Sequence, residues 1–179
     1  MSIQVKMPFF NASLIANSGQ CFRWRRIGES VWHIPAFGKI LKLREMGDDM
    51  LELDCSMQEW EAVWRGYFDA DTDYESIVLS IDPSDDYLTD AAAASRGIRI
   101  LRQPLWEMVV SYIISQNNNI PRIRRSLTAL CGGEEEPFPA PVSVADMPED
   151  SLRAMGTGYR APYIKKAAIK YLEDGTDQL

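Results

Sequence analysis

Three short stretches of this 179-residue chain carry groups suited to holding a flat polar ligand or a phosphate. The first is Ser115-Gln116-Asn117-Asn118-Asn119-Ile120-Pro121-Arg122-Ile123-Arg124-Arg125. Asparagine competes for backbone hydrogen bonds, so it favours caps and turns over helix interiors. Pro121 is tolerated in the first turn of a helix. The spacing therefore predicts a helix end, a tight amide-rich corner and a second helix whose first turns carry Arg122, Arg124 and Arg125. Amides and guanidinium groups at such a corner can bond base edges and phosphates. They can also serve only as caps and a solvated face, although one side chain already satisfies a cap.

The second stretch is Ser18-Gly19-Gln20-Cys21-Phe22-Arg23-Trp24. A glycine lets backbone approach a ligand closely, its carbonyl can accept from a flat substrate, and Phe22 can stack on that substrate. The same residues also read as a turn glycine ahead of a strand with Phe and Trp in the core. The third is Gly156-Thr157-Gly158-Tyr159-Arg160-Ala161-Pro162-Tyr163. Glycines ahead of a helix start expose N–H groups where the helix dipole favours an anion. Tyr159 can wedge into a base stack and Arg160 can bond the edge of an unpaired base. The plainer alternative is a helix cap followed by a helix with a core tyrosine.

Other candidates carry less. Trp60, Trp64 and Tyr67 have the spacing of a helix core stripe. Asp69, Asp71 and Asp73 lack the glycine and distal glutamate of a calcium loop and read as a solvated turn. Lys165 and Lys166 form a basic helix face. The single histidine, His33, sits in an apolar strand and argues against a histidine-based metal site or triad. Three widely spaced cysteines make neither a disulfide framework nor a metal pattern, which favours a reducing cytoplasm. No run suits a membrane span and the N-terminus lacks a signal-peptide core. The net charge of −7 seems unsuited to nucleic acid. Residues 1–95, however, hold 8 basic and 16 acidic side chains, and residues 96–179 hold 11 and 10. Segments 96–130 and 151–170 are locally basic, which is what phosphate binding requires.

The elements that must position these groups come in two blocks. Residues 3–10, 21–26, 31–37, 39–44 and 50–54 predict strands of an antiparallel meander. Ser56-Met57-Gln58-Glu59 is a capping box opening a helix through Tyr67. A short helix is expected through Ile77 to Ile81, and another from a Ser84 cap to near Gly97. Leu105–Ser115 predicts a helix buried on most sides, and the helix after the asparagines ends at Gly132-Gly133. A structureless connection is expected up to about Pro148. A short helix over Ser151–Met155 follows, and a last one from Arg160 to Glu173, bent or restarted at Pro162. Strands first and helices after give an α+β class, with a β-rich lobe over 1–102 and a helical one over 103–179.

Taken in order, these stretches resemble the 8-oxoguanine DNA glycosylase/lyase family of the helix-hairpin-helix glycosylases. Tyr67-Phe68, Asp73-Tyr74 and Gly97-Ile98-Arg99-Ile100-Leu101-Arg102-Gln103 extend the likeness over nearly the whole chain. The resemblance implies a TATA-binding-protein-like sheet lobe and a partial helical glycosylase lobe. It implies action on damaged double-stranded DNA in a bacterial cytoplasm, with no cofactor, no metal and no membrane; the sequence gives no clue to oligomeric state, and a monomer is the default. In such a protein the Gly19 carbonyl would accept the N7 hydrogen that 8-oxoguanine has and guanine lacks, beside Phe22. Asn117, next to Asn118, would fill the gap left by the flipped base. Arg122 and Arg160 would bond the orphaned cytosine, and Tyr159 would wedge the opposite strand. The family's nucleophilic lysine and distal aspartate match no position here, so the chain is expected to be an N-terminal fragment without glycosylase activity of its own. An alkylated-purine glycosylase and a non-catalytic DNA-binding adaptor stand as alternatives.

Overall fold

A computed structural model describes residues 1–174. They form two compact units, residues 1–34 with 40–102, and residues 35–39 with those from Gln103 onward.

The first unit is built on a five-stranded sheet, of which only residues 35–39 are assigned to the second unit: β1 (Ile3–Lys6), β2 (Arg25–Gly28), β3 (Val31–Ala36), β4 (Lys39–Gly47) and β5 (Met50–Leu53). Their order is β1-β5-β4-β3-β2, so β2 to β5 meander and β1 returns antiparallel along β5. The pleat separates the faces: Leu41, Leu43, Leu51 and Leu53 are buried while Lys42 and Arg44 are exposed. Leu43 faces Leu53 across the ladder, and Ile3 faces Leu53 from the other side. Two-residue turns close the hairpins. Phe37 and Gly38 take φ of 52° and 69°, and Asp48 and Asp49 take 51° and 60°. Both turns have the positive φ pair that matches strand twist.

The first expected strand stops early. Pro8 and Phe9 leave the ladder, with Phe9 at φ 53°, and residues 12–17 form a helix that the sequence reading left out, α1 (Ala12–Asn17). Asn11 caps it by accepting from the Leu14 amide at 2.9 Å, and the Glu45 carboxylate accepts from the Ala12 amide at 3.0 Å. The second strand also starts later than expected, at Arg25 rather than Cys21. The predicted capping box opens α2, over 57–67, with Ser56 accepting from the Glu59 amide at 3.1 Å. A wide π turn at Trp60–Trp64 lies inside it. Its aromatic stripe is core, as expected: Trp60, Trp64 and Tyr67 are buried, together with Phe68 and Trp24, and the Trp24 indole donates to the Tyr67 hydroxyl at 2.8 Å. Each such ring contributes roughly 1.5–3 kcal/mol by leaving water.

The unit ends with α3 (Tyr74–Leu79) and α4 (Asp86–Ala94). The α4 cap is Asp85 rather than Ser84, whose hydroxyl turns back to Asp82. The acidic turn is also more than a solvated loop. Asp69 accepts from Arg102 at 2.6 Å and from the Tyr74 hydroxyl at 3.0 Å. Burial pushes its carboxyl up, but hydrogen bonds from Thr72, Arg102 and Tyr74 outweigh that and hold it below the ordinary carboxylate range.

The second unit is helical: α5 (Leu105–Ser115), α6 (Ile120–Cys131), α7 (Pro141–Asp146), α8 (Glu149–Leu152) and α9 (Ala161–Glu173). Val110, Ile114, Ile123, Leu127, Leu152 and Ile164 supply its core. α5 is less enclosed than its apolar sequence predicts, because Met108 and Tyr112 lie on an exposed face. α7 occupies the connection read as structureless, and Trp106 closes that segment by donating to the Pro139 carbonyl at 2.8 Å. The expected helix over 151–155 is α8 followed by a wide turn, Arg153–Thr157, broken at Gly156 with φ 83°. Pro162 causes no bend, since it lies in the first turn of α9, where a proline lacks no needed N–H. Among the described residues, no helix is long and apolar enough to cross a membrane, and no group of His, Cys, Asp and Glu could hold a metal ion.

Candidate nucleic-acid interface

The corner between α5 and α6 consists of Gln116 to Asn119, and its four amides divide their work. Gln116 donates from its side chain to the Tyr112 carbonyl at 3.2 Å. Asn118 donates to the Ile114 carbonyl at 2.9 Å and accepts from the Asn119 amide at 3.0 Å. Asn119 caps α6 by accepting from the Arg122 amide at 3.1 Å. Asn117 differs: among the described residues no hydrogen bond involves its side chain, and it is exposed. Its backbone sits in the left-handed region at φ 48°. Asparagine tolerates that region better than most residues, which is why the chain can turn there without glycine. Three amides thus build the corner, and the fourth has no hydrogen-bond partner among the described residues. Arg122 lies exposed in the first turn of α6, beside the positive end of the helix dipole.

The Gly156–Arg160 turn meets this corner. A Cβ on Gly156 would stand 3.0 Å from the Ser126 hydroxyl of α6, and Gly158 takes φ 59°. Thr157, fully buried, donates to the Leu152 carbonyl at 2.8 Å and anchors the turn. Arg160 is buried, 5% exposed. Its Nε donates to the Gln116 carbonyl at 2.9 Å, and its Nη2 donates to the Gln116 carbonyl and to that of Asn117, the latter at 3.0 Å. The guanidinium carbon lies 4.4 Å from the centre of the Tyr159 ring. That ring is 55% exposed, and its hydroxyl donates to the Gln116 carbonyl at 3.5 Å. The result is an exposed amide, an exposed ring and guanidinium groups around one bend. Such a set can occupy a gap in a base stack and bond what lies opposite.

Gly19 and Phe22 belong to the first unit. Gly19 is exposed with φ 84°, just past the end of α1, and Phe22 is half-buried. Gln20, which the sequence reading passed over, fixes this loop. Its side-chain amide donates to the Arg99 carbonyl at 2.9 Å and accepts from the Leu101 amide at 2.9 Å. One side chain thus imitates a strand partner for residues 99–101. Arg99 in turn is buried and ties three carbonyls together, those of Phe9 (3.1 Å), Asp69 (2.8 Å) and Pro8 (2.7 Å). A glutamine two residues after Ser18 gives no periodic signal, so only tertiary contacts reveal its job.

The structure thus brings Asn117, Asn118, Tyr159 and Arg160 together, with Arg122 on the helix that leaves the same corner. Gly19 and Phe22 stand in the other unit. None of the six lysines is buried: Lys165 donates to the Met147 carbonyl at 2.8 Å, and a hydrogen bond to Asp174 raises the pKa of Lys170.

Residues 2–109 match the family model described as the 8-oxoguanine DNA glycosylase N-terminal domain. An N-glycosylase/DNA lyase of Saccharomyces cerevisiae is 29% identical over 190 aligned positions, covering 89% of this chain and 49% of the yeast protein. Among solved structures, MBOgg1 in complex with a low-affinity DNA ligand superposes with a TM-score of 0.91 at 30% identity, covering 99% of this chain and 65% of that one. The Clostridium acetobutylicum 8-oxoguanine glycosylase/lyase, in complex with double-stranded DNA holding cytosine opposite 8-oxoguanine, gives 0.88 at 27% identity, covering 99% and 67%. The chain spans about half the length of the curated relatives it matches.

Proposed function

The chain belongs to the 8-oxoguanine DNA glycosylase family, and we propose from that premise that it is the damage-reading portion of a DNA glycosylase/AP lyase. The observation that carries the proposal is the side-chain amide of Asn117, which takes part in no hydrogen bond among the described residues while its three neighbours are all engaged. In this reading duplex DNA lies across the α5–α6 corner. Asn117 fills the space vacated by a flipped base, and Tyr159 wedges the stack beside it. Arg122 and the Nη1 edge of Arg160 bond the orphaned cytosine. The Gly19 carbonyl accepts the N7 hydrogen of 8-oxoguanine, and Phe22 stacks on its face. Leaving that one hydrogen bond unmade in a dry pocket costs about 1–3 kcal/mol, enough to disfavour guanine. The protein acts as a monomer in a bacterial cytoplasm. In the whole protein the outcome is removal of the base and cleavage at the resulting site.

The test is binding of this chain to duplexes with and without an abasic-site analogue opposite cytosine. The gapped duplex binds more tightly, and Asn117→Ala removes roughly tenfold of that preference while intact duplex binds as before. Equal affinity of the unaltered chain for both duplexes would overturn the reading.

A further inference from the structure

We infer that Arg160 is a positioning residue for Asn117: its guanidinium holds the Gln116 and Asn117 carbonyls and so fixes the left-handed backbone that presents the Asn117 amide. A guanidinium has five N–H donors in a rigid plane. In Arg160 the Nε hydrogen and the Nη2 group face the two corner carbonyls, and one Nη1 hydrogen reaches the Thr157 carbonyl at 3.4 Å. One Nη1 hydrogen is left for anything outside the protein. Most of the donor capacity of this side chain is therefore spent on the shape of the corner.

The corner needs such a clamp. Gln116 ends α5 with φ −58° and ψ 122°, and Asn117 follows at φ 48°, so two successive carbonyls leave the helix without partners in its ladder. Arg160 itself is buried, so losing these bonds is costly, because its donors would find no water in place of the two carbonyls. The Tyr159 ring, 4.4 Å from the guanidinium carbon, restrains the plane from one side, and the Thr157 carbonyl holds the far nitrogen. A lysine ammonium is a point charge that cannot span both carbonyls in one plane. The inference deepens the reading given above, and only its DNA arm rests on that reading.

The test has one arm without DNA and one with it. In the free protein, nuclear magnetic resonance of the unaltered chain shows the strong intraresidue HN–Hα cross-peak of a positive φ at Asn117. In Arg160→Lys that cross-peak falls to the level of an ordinary negative-φ residue, while the cross-peaks of Gly132 and Gly156 persist. A retained Asn117 cross-peak in Arg160→Lys overturns the inference whatever the protein does with DNA. Should Arg160→Lys fail to fold, Arg160→Lys with Asn117→Gly decides. Glycine accepts a left-handed backbone without help, so the double variant folds if the clamp serves that backbone, and a double variant that stays unfolded overturns the inference. In the DNA arm, Arg160→Lys and Asn117→Ala each weaken binding to the gapped duplex by roughly tenfold, and the pair together weakens it by much less than the product, the remainder being the cytosine contact of the Nη1 edge. Multiplicative losses of roughly a hundredfold would show two independent contacts and overturn the positioning role. Failure of the unaltered chain to prefer the gapped duplex would count against the functional reading alone.

Discussion

Asn117 and the glycines show how single residues decide what this backbone can present. Asn117 turns the chain at a positive φ without being a glycine, and so it keeps a side chain at the tip of the bend. The glycines differ in what a Cβ would meet. At Gly19, φ is 84° and nothing lies within 4 Å, so alanine there suffers only the backbone penalty of about 1–2 kcal/mol. At Gly97, φ is 99° and a Cβ would lie 2.7 Å from the Asn11 Cβ and 3.0 Å from its backbone nitrogen. Overpacking adds about 1–3 kcal/mol to the backbone cost there. Urea denaturation should rank Gly97→Ala well below Gly19→Ala in stability; equal losses would mean that the Asn11 cap moves aside at no cost.

At the scale of elements, the loops that carry the candidate residues are held by side chains that act as backbone. Gln20 takes the place of a strand beside residues 99–101, Arg99 gathers three carbonyls, and Glu45 of β4 starts α1. Gln20→Ala removes two bonds from the 99–101 segment and should cost about 1–3 kcal/mol of stability. It also loosens the Gly19 carbonyl. In the proposed function, binding to a duplex containing 8-oxoguanine should therefore fall toward that for undamaged duplex, while binding to undamaged duplex holds. Loss of both in proportion would show that Gln20 matters only for folding.

For the whole molecule, charge is partitioned, with the acid concentrated before residue 96, and one carboxylate couples stability to pH. Asp69 has a folded pKa held below its unfolded value by Thr72, Arg102 and Tyr74 against the opposing effect of burial. A depressed carboxyl contributes stability at pH above the unfolded pKa, about 3.9, and the contribution disappears as pH falls through the folded pKa. Asp69→Asn should lower the melting temperature near neutral pH and flatten the acid limb of the stability profile. A parallel downward shift at every pH would show that the carboxylate's charge is irrelevant. Chemistry at the level of the chain follows from the lysines. A nucleophilic lysine needs a lowered pKa, usually by burial, and all six here are exposed or half-buried. The chain incubated with DNA containing 8-oxoguanine should yield no borohydride-trapped adduct, and an adduct would assign a nucleophile among these residues.

The α+β class, the strands β3 to β5, the capping box at Ser56 and the amide corner were all legible in the sequence, because each is set by local rules. Alternation of Leu41, Leu43, Leu51 and Leu53 sorts the faces of a sheet, and asparagines before Pro121 force a helix to end and another to begin. The family likeness was legible too, since the motif residues lie in short contiguous runs. What the sequence could not assign was the division of labour within those runs. Four adjacent amides look alike until the carbonyls of Tyr112 and Ile114 and the amide of Arg122 are seen to claim three of them. Arg160 looks like one more basic contact until burial turns its donors onto the backbone of residues 116 and 117, 44 and 43 positions away in the chain. Helices α1 and α7 escaped because short helices owe their stability to what they pack on rather than to propensity. Local sequence determines where this chain turns; only tertiary structure decides which side chains remain unspent, because a donor's partner is fixed by distance in space.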